Sequence, residues 1–183
     1  MLRMLSAATS VVAGDAVTRR WLASHPPQGP CAAIAIGKAG AAMLKGARAA
    51  LAGNLVDALL ISGRDYLGAE PPATLWVEGA HPVPDERSLA AGRSLLAFID
   101  RQPTDRHLLF LISGGASSMM EVPREGIDAG MLDRVNRWLL ASGLAIGEMN
   151  AVRKSLSRVK GGGLLGILGK RPATVLLISD VPG

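Results

Sequence analysis

The stretch CAAIAIGKAGAAMLKGARAAL, residues 31–51, decides the fold that we expect for this chain. Its first part, Cys31–Ile36, is continuously apolar, which is typical of a strand that helices cover on both faces of a sheet. Gly37 then offers a turn, and the Ala-rich run Ala39–Leu51 favours a helix. A buried strand, a glycine turn and a helix in this order predict one unit of a parallel α/β sheet.

Four further short apolar runs have the same strand character and lie at Ala58–Ile61, Thr74–Val77, His107–Ile112 and Thr174–Ile178. Between some of these strand-like runs lie stretches whose apolar residues have helical spacing, at Asp85–Ile99 and Met131–Leu139. This alternation predicts an α/β fold with a Rossmann-like, doubly wound, mainly parallel sheet and helices on both faces. We expect residues 1–183 to form a single domain. The opening run Met1–Arg20 reads as a surface helix, with a transit peptide as the alternative.

Composition excludes several classes of protein. The chain has 183 residues, of which 49% are hydrophobic and 19% charged, so it has the make-up of a globular domain. Cys31 is the single cysteine, which excludes an internal disulfide and suits the reducing cytoplasm, where we expect the protein. The apolar runs are shorter than the roughly 18 residues of a membrane span, so no membrane partner is expected.

The net charge of +5 has a location in the chain. Residues 134–183 carry eight basic and two acidic side chains, so the positive excess lies in the last third. Such an excess suits a small anionic ligand, for example a nucleotide or a phosphorylated acid. Nucleic acid is the weaker interpretation, because aromatic residues do not alternate with these charges.

Two glycine turns at strand ends are candidate phosphate sites. Gly37 and Lys38 follow the first strand and open a helix, whose N-terminus attracts anions. Ser113–Ser117 follow the fourth strand, where Gly114 and Gly115 permit an anion-binding turn and the serines add hydroxyl groups. The alternatives are a solvated lysine at a tight turn and a plain turn capped by serines.

Two more residues sit where α/β proteins place ligand groups. His81 lies in a loop that Pro82 and Pro84 make rigid, where it could contact substrate or hydrogen-bond to backbone. Asp180 follows the last strand, where a carboxylate could help hold Mg²⁺ or cap a turn.

A basic segment at residues 149–163 reads as a helix. Its buried stripe consists of Val152, Leu156 and Val159. Arg153 and Lys160 border this stripe and could reach a cleft beside the core, whereas Lys154 and Arg158 fall on the far side. The alternative is a basic face that only meets solvent.

Five segments together resemble the N-terminal portion of the glycerate 2-kinase family whose second domain is called MOFRL. They are IAIGKAGAAM at 34–43, GAHPVPDERSLAAGRSLL at 79–96, LLFLISGGASSMM at 108–120, MNAVRKSLSRVKGGGLL at 149–165 and LLISDVPG at 176–183. Each motif is modest alone, but five in the same order are specific. The resemblance covers essentially the whole chain.

The resemblance implies ATP- and Mg²⁺-dependent phosphorylation of D-glycerate at its 2-hydroxyl, which gives 2-phosphoglycerate. It makes Lys38 a catalytic residue, and we add Asp180 as a catalytic and metal-binding one. The implied phosphate-binding residues are Gly37, Ser113, Gly114, Gly115, Ala116 and Ser117. The substrate-binding residues we expect are His81, Asn150, Arg153 and Lys160.

Members of that family run to more than twice this length, and their active site lies between the α/β domain and the MOFRL domain. We therefore expect this chain to supply half of an interdomain site and to be inactive alone. One alternative is a hydroxypyruvate reductase, a label that some members carry, although the strands are not followed by G-x-G-x-x-G. Another is a non-catalytic fragment that binds a nucleotide or a sugar-acid phosphate. Self-association into a homo-oligomer is a further expectation, because a bare domain exposes apolar surface.

Overall fold

The computed structural model describes residues 14–67 and 73–179. Five parallel strands form its sheet, in the order β3-β2-β1-β4-β5. They are β1 (Cys31–Ile36), β2 (Leu55–Ser62), β3 (Leu75–Glu78), β4 (His107–Ser113) and β5 (Ala173–Ile178). All five predicted strands are therefore confirmed, and the sheet is parallel at each of its pairings.

The strand order creates a switch point at the centre of the sheet. The chain moves outward from β1 to β2 and β3, then returns to place β4 on the other side of β1. β1 and β4 pair in register from Cys31 opposite His107 to Ile36 opposite Ile112. The turns that leave the carboxyl ends of β1 and β4 are therefore neighbours, at the place where open α/β sheets bind ligands.

Helices lie on both faces of the sheet, as predicted. They are α1 (Gly14–Ser24), α2 (Gly40–Leu51), α3 (Glu86–Asp100), α4 (Ala116–Met119), α5 (Ala129–Ala141), α6 (Ile146–Leu156) and α7 (Gly163–Leu168). Leu22 of α1 and Leu44 of α2 pack with Leu60 on one face. Phe98 of α3 and Leu168 of α7 pack with the other face. No helix among the described residues is long and apolar enough to cross a membrane.

The predicted helix over residues 149–163 is wrong beyond Leu156, where α6 ends. The chain turns away because the backbone of the next residues finds other partners. Arg158 N donates to Val122 O at 2.8 Å, and Ser157 Oγ accepts from Lys160 N at 3.2 Å. Arg153 and Lys160 thus lie on separate segments instead of one helix face.

Helices were expected to cover both faces of the sheet, but the edge strand β5 is covered on one face only. Leu176 and Ile178 pack against the core on the side of α1 and α2. On the other face, the exposed fractions of Val175 and Leu177 are 61% and 67%. The predicted surface helix over Met1–Arg20 is described only from Gly14, and its first thirteen residues lie outside the described part.

Candidate functional site

The turns after β1 and β4 are tied directly to each other. Lys38 N donates to Gly114 O at 2.9 Å, and Ala39 N donates to Ser113 Oγ at 3.0 Å. Gly37 has φ +117, and a Cβ there would come within 2.5 Å of Ser113 Oγ. Only glycine fits between the two turns, so this position is fixed by packing as well as by its backbone angle.

Hydrogen bonds within the fold occupy the backbone N–H groups of the turn after β1. The N–H groups of Gly37, Lys38, Ala39 and Gly40 donate to Ile61 O, Gly114 O, Ser113 Oγ and Gly37 O. The Ser113 hydroxyl is buried and also lies 3.4 Å from Ile36 O, to which it donates. The backbone N–H groups of this turn therefore serve to lock β1 against β4.

A cleft of about 200 Å³ opens beside the second turn. Its walls come from the loop after β3, the turn after β4, and α5 with α6. Gly115 and Ser117 of the predicted phosphate turn line it, and so do Arg153 and Lys160. The structure thus brings together four of the residues that the sequence singled out, from three separate segments.

Arg153 enters the cleft from α6 and is partly buried. Its Nε donates to Oδ1 of Asn136 on α5 at 3.2 Å, which orients the guanidinium. Within the part of the chain that the structure describes, no carboxylate lies within ion-pair distance of Arg153. The remaining guanidinium donors can therefore receive a carboxylate or a phosphate in the forked geometry that arginine favours.

Lys160 enters the cleft from the segment after α6, where it forms an ion pair with Glu121. The side chains of Lys160 and Glu121 are only 16% and 5% exposed. Sequence reasoning missed Glu121, as well as Asn136. The signal for Glu121 was a single acidic residue inside the apolar run Met119–Val122, because a charge at such a place needs a buried partner.

The other predicted residues take different places. His81 is exposed beside the turn, where a Cβ on Gly115 would meet its Cδ2 at 2.9 Å. Lys38 and Asn150 are partly buried and are not among the residues that line the cleft. Gly114 and Ala116 belong to the same turn as Gly115 and are likewise not among the residues that line the cleft. Asp180 lies outside the described residues.

One titrating group is tied to the loop that carries His81. Asp85 caps the N-terminus of α3, where its carboxylate accepts from Arg87 N at 2.8 Å. The hydrogen bond from the Arg87 guanidinium lowers the pKa of Asp85, and the backbone bond adds to the effect. The loop between β3 and α3 is therefore anchored by a carboxylate that stays ionised at neutral pH.

Comparison with known proteins finds a matching family and several relatives of this chain. A family model described as a domain of unknown function, DUF4147, matches residues 1–183. A glycerate 2-kinase of Pyrococcus horikoshii is 37% identical over 82% of this chain, which covers 33% of that relative. A putative hydroxypyruvate reductase of Agrobacterium vitis is 38% identical over 86% of this chain and 36% of its own length.

A solved structure is similar to this chain in both fold and sequence. The crystal structure of a glycerate kinase from Thermotoga maritima matches with a TM-score of 0.88 and 30% identity, over 98% of this chain and 43% of that one. The chain thus spans well under half the length of these relatives. Because the family model matches from the first residue to the last, the chain belongs to the DUF4147 family.

Proposed function

We propose that this chain is the N-terminal portion of an ATP-dependent kinase that phosphorylates D-glycerate to 2-phosphoglycerate. It would supply one half of an active site that a second domain completes. The names of the relatives from Pyrococcus horikoshii and Thermotoga maritima support a glycerate kinase. ATP as the phosphoryl donor, 2-phosphoglycerate as the product and a site divided between two domains are further parts of this proposal.

One observation carries this proposal more than any other. Arg153 and Lys160 converge on the cleft beside the glycine turn at Gly115, although they come from separate segments. A small sugar acid has one carboxylate, which Arg153 can bind through two parallel hydrogen bonds. Its hydroxyl groups would then face the turn where a phosphoryl donor would bind.

The residues would divide the work of phosphoryl transfer, which depends on positioning and charge neutralisation more than on covalent chemistry. Arg153 would hold the glycerate carboxylate, and Lys160 would add a second charge-assisted bond. Lys38 starts from the turn that is bonded to Gly114, and in this proposal its ammonium would balance the charge on the transferring phosphoryl group.

Magnesium fits this site only through few protein ligands. Among the described residues no group of three or more His, Cys, Asp or Glu could hold a metal ion. Mg²⁺ in kinases is usually held by one or two carboxylates and by the phosphates of the nucleotide. We propose Asp180 as such a carboxylate, and Mg²⁺ would supply charge neutralisation on the phosphates.

Paired assays on the longest polypeptide that carries this sequence test the proposal. One measures ATP-dependent phosphate transfer to D-glycerate, and the other measures NADH oxidation with hydroxypyruvate. Transfer without NADH oxidation is the expected result. The reductase is the second candidate because the relative from Agrobacterium vitis carries that name, and NADH oxidation without transfer would establish it instead.

The 183-residue chain alone provides a further test of the divided site. We expect weak binding of ATP and D-glycerate and no turnover, because the proposed site would lack the half that a second domain supplies. Full turnover by this chain would contradict the divided site but not the kinase. A cytoplasmic location stays a prediction, which fractionation of cells that express the gene would test.

A further inference from the structure

Glu121 has no role in the proposed function, yet it is the acidic residue of the cleft. It lines the cleft together with Lys160, and their side chains form a nearly buried ion pair. Removing two charges from water is costly, so such a pair is expected to serve structure, specificity or ligand binding. Because it lines the same cleft as Arg153, we take ligand binding as the role to test.

Glu121 is fixed to the fold by its backbone and by one hydrogen bond to its carboxylate. Its backbone N donates to Ser88 O of α3 at 3.0 Å, and its Oε1 accepts from Val122 N at 2.9 Å. Its carbonyl oxygen presses against Gly92 of α3, where a Cβ would approach within 1.9 Å. The backbone of Glu121 is therefore fixed by the fold itself, and the bond from Val122 N orients its carboxylate.

Lys160 lacks such rigidity of its own. It lies after the end of α6, in a loop whose backbone is held by Ser157 Oγ. Its ammonium sits on a flexible four-carbon stem with many rotamers, so a partner is needed to keep it in one place. We propose that Glu121 is a positioning residue, which holds the Lys160 ammonium in the cleft for the carboxylate of the substrate. This inference rests on the proposed function for the identity of that substrate.

Two possible roles for Glu121 predict opposite changes in anion affinity for the same substitution, Glu121→Gln. If its charge merely offset the cations, Glu121→Gln would strengthen the binding of an anion, because a nearby negative charge is lost. If it positions Lys160, the same substitution weakens anion binding even though the cleft becomes more positive. Binding affinity therefore separates the two.

The experiment titrates D-glycerate into the longest polypeptide that carries this sequence, by calorimetry. We expect E121Q to weaken binding by about tenfold, the usual effect of losing one charge-assisted hydrogen bond. E121D keeps the charge but is shorter, so positioning predicts weaker binding for it too. Glu125 is exposed, and E125Q is a matched control that loses the same charge without changing affinity. Unchanged or tighter binding by E121Q would overturn the inference.

A double-mutant cycle with Lys160→Met tests whether Glu121 acts through Lys160. In the K160M background we expect E121Q to change affinity by less than about twofold, because the positioned group is already gone. A full tenfold loss there would refute positioning. Thermal melting checks that each variant folds, and E121D with K160M carries the comparison if E121Q does not.

Inorganic phosphate serves as a second probe in the same series. If the wild-type protein binds phosphate but not D-glycerate, the proposed function fails while the phosphate affinities still decide the role of Glu121. If the wild-type protein binds neither anion, Lys160 is not positioned for an anion and the inference is wrong.

Discussion

At the scale of single residues, the turns after β1 and β4 approach each other closely. Gly37 sits where its backbone angle and the nearby Ser113 both exclude a side chain. Its carbonyl oxygen accepts from Ser62 Oγ at 2.9 Å, so a third strand is joined to the same point. A glycine at this position is therefore required by the packing of the fold, whatever its role in ligand binding.

We expect Gly37→Ala to destabilise the protein by about 3 kcal/mol, because the added Cβ meets Ser113 in a strained backbone conformation. Denaturant unfolding measures this. Gly53→Ala is the matched control, since its Cβ would meet nothing within 4 Å, and it should change stability by about 0.5 kcal/mol or less. Equal effects of the two substitutions would contradict the packing argument.

Lys38 is placed by its backbone at the junction of the turns, but its chemical role rests on the proposed function. We expect Lys38→Met to lower kcat for glycerate phosphorylation by about a hundredfold or more, since a charge opposite the transferring phosphoryl group is lost. Lys45→Met is the control, because Lys45 is exposed on α2. Full turnover by K38M would remove Lys38 from the mechanism.

At the scale of elements, the end of α6 determines how two cations enter the cleft. Helical periodicity placed Arg153 and Lys160 on one helix, whereas α6 ends at Leu156 and Lys160 follows in a turn. The helix ends because Arg158 N bonds to Val122, a partner distant in sequence. Periodicity was right about which basic residues reach the cleft, but only tertiary hydrogen bonds fix how they do so.

The contact between β4 and β5 gives the sheet a dependence on pH. His107 Nε2 lies 2.9 Å from Thr174 Oγ1, and burial lowers the pKa of His107. The unfolded state then binds a proton more readily than the folded state. Stability from this group is present above the unfolded pKa, about 6.5, and is lost as the pH falls through the lower folded value.

We therefore expect His107→Gln to flatten the fall in unfolding free energy below about pH 6.5, because the titrating ring is replaced by a neutral group of similar reach. Denaturant titrations at several pH values measure the slope for both proteins. If the two proteins lose stability in parallel, His107 does not contribute to the acid sensitivity.

At the scale of the whole molecule, one face of the sheet edge is left open. Val175 and Leu177 are exposed on β5, and Leu165 of α7 is 70% exposed. Exposed apolar side chains favour association, either with another part of a longer polypeptide or with a second copy.

We expect the 183-residue chain to self-associate at micromolar concentrations, and Leu177→Glu to shift it toward monomer without lowering its melting temperature. A charge on the exposed face should oppose burial there. Analytical ultracentrifugation measures the distribution. Val56→Glu is the control, because Val56 is 49% exposed on β2, away from this edge. A monomeric wild-type chain would show that the face needs a different partner.

The sequence by itself determined the class of fold, all five strands and the identity of the main cleft cations. Those features depend on local periodicity and on glycine turns at strand ends, which neighbouring residues encode. Only the tertiary structure decided that the Gly37 turn is closed by backbone bonds, that α6 stops at Leu156 and that Glu121 pairs with Lys160. Each of these depends on groups far apart in the chain, and a linear pattern cannot show which of them will meet.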